Sequence, residues 1–141
     1  MEETAETIAD AYRESTQGSE PSDEQVEQLL ATLEPGEEVL FTCGWPDMSE
    51  KWGPLAQLTV TTRRVLDQRW AGPGTNAPVR ELTLRDIVAV TDRQRGGERH
   101  PFETRALVVQ LANGTTLTWE HLTNHQVTPA AEAIERAREQ L

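Results

Sequence analysis

The chain has 141 residues, one cysteine and a net charge of −11, enough length for one domain with a modest core. A lone cysteine excludes an intrachain disulfide, and no apolar run reaches the roughly 18 residues a membrane helix needs. Residues 1–40 hold twelve acids and one base, Arg13, while residues 41–141 balance at twelve of each. So acidic an arm repels phosphate backbones and anionic lipid heads, which argues against nucleic acid or a membrane as the main partner.

In chain order, "TAETIADAYREST" (4–16) places Ala5, Ile8, Ala9 and Tyr12 on one helical face. A helix this short is marginal in water unless it docks. Gly18 in "QGSEP" is a helix stop. Ser22 and Gln25 then have capping-box spacing, and Val26, Leu29, Leu30 and Leu33 form the apolar stripe of a second helix. Pro35 and Gly36 end it.

From Glu38 the period changes from 3.6 to 2. "EVLFTCGW" puts Val39, Phe41, Cys43 and Trp45 on one face, "AQLTV" (56–60) puts Leu58 and Val60 inward, and "VLDQRW" (65–70) puts Leu66 and Trp70 inward. "VRELTL" (79–84) alternates with Leu82 and Leu84 inward, Arg85–Ile87 form a corner, and 88–94 is another strand. The last hairpin pairs "RALVVQL" (105–111) with "TTLTWEHL" (115–122) through Asn113-Gly114, a strong turn signal. Thr128 and Pro129 mark the start of a closing helix whose stripe is Ala130, Ile134, Ala137 and Leu141. The expected fold is α+β and mainly β. Seven antiparallel strands form a bent barrel or two orthogonal sheets, with two short helices before them and a capping helix after.

The succession "LEPGEEVLF", "LTVTTRRVL", "ELTLRDIVAV", "ALVVQLANGTTLTWEHL" and a final helix resembles the bacterial pleckstrin-homology-like domain family. The resemblance covers residues 34–141 and leaves 1–33 as an acidic helical extension. It implies a bent seven-stranded shell plugged by the last helix, and little chemistry. Some relatives bind phosphoinositides through basic residues near the first hairpins. Here the corresponding loop carries Lys51 but also Asp47 and Glu50, so that site is not carried over.

Chemical candidates are sparse. His121 and His125 have a four-residue spacing but lie on a strand-to-helix connection with no third ligand close in sequence, so no metal is expected. Cys43 sits on an apolar strand face, the position of an inert thiol. The glycine loops at 71–78 and 95–103 lack the strand–loop–helix context of a nucleotide site. No acid, base and nucleophile converge, so neither catalysis nor a cofactor is expected. Residues 51–105 carry ten bases against six acids, and the acidic arm has the complementary charge to pack across that face. Trp52, in a polar loop, has the character of an interface residue. The expectation is a cytoplasmic, non-enzymatic protein-interaction module, able to self-associate through open strand edges. Its candidate contacts are Lys51, Trp52, Arg63, Arg64, Arg95 and Arg99. The alternative is a small-ligand or lipid domain using the mouth of the shell.

Overall fold

A computed structural model describes residues 4–15, 20–46, 55–70, 79–95, 104–122 and 124–141. Two helices, α1 (Ala5–Ser15) and α2 (Asp23–Thr32), precede seven strands and a closing helix, α3 (Asn124–Glu139). Strands β1 (Val39–Pro46), β2 (Leu55–Thr61), β3 (Arg64–Trp70) and β4 (Val79–Thr83) form one antiparallel sheet in chain order. A short 3₁₀ turn at Leu84–Asp86 leads into a second antiparallel sheet of β5 (Ile87–Arg95), β6 (Thr104–Leu111) and β7 (Thr116–Leu122). Among the described residues the two sheets do not close into a barrel. No helix among them is long and apolar enough to cross a membrane.

The main core joins both sheets. Phe41, Cys43, Leu58, Val60 and Val65 from the first sheet meet Leu107, Val109 and Trp119 from the second. Helix α3 completes it with Val127, Ala130, Ala133, Ile134 and Ala137, all at 0% exposure. This small-residue stripe lets the helix lie close across the strands, as a cap must. Leu141 does not join the stripe; it is 58% exposed, one turn past Ala137, the last residue of the helix that the core holds.

Helix α3 starts four residues before Thr128, so Pro129 lies inside it. The extra turn is held by tertiary contact. Val127 is fully buried in the core, and Gln126 Nε2 donates to the Gly44 carbonyl at 3.2 Å. Burial there outweighs the single helical hydrogen bond that proline removes.

A second, smaller cluster lies on the opposite face of the first sheet. Ile8, Val26, Leu29 and Leu66 are buried together, with Ala9, Leu33 and Val39 against them. This corrects the expected facing of two strands. In β3 it is Val65 that enters the main core, and Leu66 points to the N-terminal helices. In β1 a register shift between Val39 and Phe41 turns Val39 away from the Phe41–Cys43 face, since a bulge breaks strict alternation. Leu30, expected in the α2 stripe, is 37% exposed at its margin. The Ser22–Gln25 capping box forms as the spacing predicts, with Gln25 N–H donating to Ser22 Oγ at 3.1 Å. Gly114 takes φ +89° in the β6–β7 turn, where Asn113 Oδ1 accepts the Thr115 N–H at 2.9 Å.

Candidate functional site

The docking of α1 beside α3 leaves an open groove of about 500 Å³ over the start of β1. Leu40 and Phe41 form its apolar floor, Ala11 and Glu14 form the α1 wall, and Pro129, Glu132 and Arg136 form the α3 wall. Helical spacing explains the α3 side. Glu132 and Arg136 are one turn apart and flank the buried Ala133–Ala137 row, so they stand at the edge of the helix that faces water. Glu14 is exposed at the last turn of α1. A shallower depression continues along α3 past Ala131 to Glu135 and Glu139. The two surfaces together show four carboxylates and one guanidinium along an apolar floor.

The adjacent arginines of the β2–β3 hairpin are occupied within the chain. Arg64 Nε and Nη2 donate to both Glu37 carboxylate oxygens at 2.8 Å. The same guanidinium reaches Glu81 at 3.1 Å and the Thr32 carbonyl at 2.7 Å. The two side chains of the central pair are only 10% and 0% exposed. Glu37 also accepts from Thr61 Oγ1 at 2.5 Å and from the Glu34 N–H at 3.0 Å. Burial pushes the Glu37 carboxyl up, but the hydrogen bonds from Arg64, Thr61 and the backbone, with the arginine charge, outweigh it and hold the carboxyl below its ordinary range. Arg64 is raised, first by its hydrogen bond to Glu37. Arg63 pairs with Glu34 at 2.8 Å and donates to the Pro35 carbonyl at 3.0 Å. The two arginines thus clamp the 34–38 turn onto the first sheet.

The sequence offered these arginines as candidate partner contacts and did not identify which acids of the same chain they bind. Periodicity cannot: Glu37 lies outside every regular element, and only the fold brings it to a hairpin 27 residues later. Of the other candidate contacts, Lys51, Trp52 and Arg99 lie outside the described residues, and so does the side chain of Arg95 at the end of β5. The same holds for the side chains of His121 and His125. Among the described residues no cluster of histidine, cysteine and acidic side chains could hold a metal ion. Cys43 is fully buried, and burial pushes its thiol up, so it stays protonated and unreactive.

Arg80 pairs with the buried Asp67 at 2.8 Å and lies 5.6 Å over the Trp119 ring, which closes the core beside β4. The groove residues Glu14, Glu132 and Arg136 were not singled out in the sequence, where they lie off the apolar stripes of their helices. Comparison with models of known protein families gives no match, and no curated protein matches the chain.

Proposed function

We propose that the protein is a non-enzymatic binding module of pleckstrin-homology-like type, and that its groove between α1, β1 and α3 takes a protein segment bearing Lys or Arg beside an apolar side chain. The observation that carries this reading is the pairing of an apolar floor at Leu40 and Phe41 with walls in which Glu14 and Glu132 outnumber the single Arg136. An apolar side chain gains from leaving water, and flanking cations gain from the carboxylates. The wider field has the same sign, because all of the net −11 belongs to residues 1–40, which include α1 and α2. Such a field accelerates the encounter with a basic partner and weakens with salt. The alternative use, a small ligand or lipid at the mouth of the shell, meets an end filled by Val127, Ala130 and Ile134. The Trp52 and 95–103 loops lie outside the described residues, so the proposal rests on the groove.

The test is selection of random displayed peptides on the full chain, followed by fluorescence titration of the selected peptides. Enriched sequences should combine Lys or Arg with an aliphatic or aromatic residue. Their affinity should fall about tenfold for the Glu14→Lys/Glu132→Lys variant, the loss expected of about 1.4 kcal/mol, and should fall again with added salt. Acidic selected sequences, or equal binding to the variant, would overturn the reading. So would binding of anionic vesicles in preference to every peptide.

A further inference from the structure

The outer face of the first sheet has the composition of a surface that meets water, yet it is buried. Thr42 in β1, Gln57, Thr59 and Thr61 in β2, and Gln68 in β3 are all nearly inaccessible. Among the described residues, Leu66 is the fully buried apolar side chain of the sheet on that face. Some polar groups are satisfied: Thr42 Oγ1 bonds to Thr59 Oγ1 at 2.9 Å and accepts from Gln57 Nε2 at 2.9 Å. Others are not. Gln57 Oε1 and both amide atoms of Gln68 are buried with no hydrogen-bond partner among the described residues.

These amides lie in one cross-strand row that starts at Gly44, where the end of α1 rests. Gly44 pairs with Gln57, and Gln57 pairs with Gln68. The Tyr12 hydroxyl of α1 rests on Gly44, only 2.0 Å from where a Cβ would stand. Gln25 of α2 reaches that hydroxyl with a long 3.4 Å bond, and Ser15 Oγ donates to the Thr42 carbonyl. Closing the helices over the sheet therefore takes water from glutamine amides and gives nothing back to three of their atoms. Opening returns it. Four buried apolar side chains in the small cluster hold the helices down, against fifteen in the main core.

We infer that α1 and α2 form a hinged cover over this polar face, opening as a unit about the Arg63–Arg64 clamp at residues 34–38 while the two sheets and α3 stay folded. The open state hydrates Gln57 and Gln68 and exposes Tyr12 and the Ile8–Val26–Leu29–Leu66 cluster while the main core stays buried, so it lies below global unfolding in free energy. The cover also carries Ala11 and Glu14, so the groove exists only when it is closed. That last consequence rests on the proposed function; the opening does not.

Native-state hydrogen exchange of the full chain, read by mass spectrometry, tests the opening without any ligand. The α1 and α2 amides should exchange well ahead of those of β6 and α3. Gln68→Leu deletes no hydrogen bond and should slow α1 and α2 exchange about tenfold; Gln68→Met serves if the branched side chain does not fit. Ile8→Ala should speed exchange in both helices and leave β6 and α3 unchanged. Helices exchanging in step with β6 in the wild-type chain would overturn the inference, as would faster helix exchange in both Gln68 variants. Neither result would bear on peptide binding to the groove.

Discussion

The inner and outer faces of the first sheet are both buried, but by different chemistry. The inner face meets the second sheet and α3 through Phe41, Cys43, Leu58, Val60 and Val65, and its buried charge among the described residues is Asp67, paired with Arg80 at the β4 edge. The outer face meets α1 and α2 through threonines, glutamines, one leucine and a buried Arg64–Glu37 pair. Apolar burial is non-directional and tolerates small shifts, whereas a polar interface holds only in the geometry that satisfies its bonds. The difference separates two jobs: the inner face keeps the shell folded, and the outer face positions the N-terminal helices that build one wall of the groove.

The largest expected effect breaks the outer face at its clamp. Arg64→Ala leaves the Glu37 carboxylate buried without its main partner and should cost about 3–5 kcal/mol in urea unfolding. Replacing both Arg64 and Glu37 by Met should cost far less, because the penalty belongs to the uncompensated charge.

Next come two truncations that set the faces against each other. Leu107→Ala in the main core should cost about 2–5 kcal/mol and lower the whole unfolding transition. Ile8→Ala should cost toward the lower end of that range, with the loss confined to α1 and α2 in hydrogen exchange. If Ile8→Ala lowers protection of β6 as much as Leu107→Ala does, the faces act as one unit and the contrast fails.

A smaller effect is expected at Gly44. An added Cβ would stand 2.0 Å from the Tyr12 hydroxyl and 2.8 Å from its ring, so Gly44→Ala should cost about 1–3 kcal/mol by overpacking. Tyr12→Ala in the same chain should recover part of that loss and leave α1 less ordered by circular dichroism.

The smallest effect is set by pH. Glu37 is held below its ordinary value of 4.5, so the folded state binds this proton less readily than the unfolded chain does. Its contribution is fully present above the ordinary value and is lost as pH falls through the depressed one. Denaturant midpoints measured between pH 7 and 3 should fall, and Glu37→Gln should remove that part of the slope.

Several elements were legible because each reports local physics. The Ser22–Gln25 cap, the change of period at Glu38 and the Asn113-Gly114 turn all formed as their residues require. Leu107, Val109 and Trp119 were legible as core because β6 and β7 have one wet face, so alternation survives. Leu66 was misread for the opposite reason. Its strand is buried on both faces, so Val65 and Leu66 are equally apolar in sequence and only the covering helices distinguish them. The groove was not legible at all, since its walls come from helices more than 100 residues apart.

The amino-acid sequence by itself determined the elements, their order and the separation of charge between residues 1–40 and the rest. Caps, turns and periodicity act over a few residues and need no partner. Only the tertiary structure decided that the acidic helices lie on a polar sheet face, that Glu37 meets Arg64, and that α1 and α3 enclose an acidic groove. Those outcomes depend on which surfaces lose water together, and that is fixed when the chain packs.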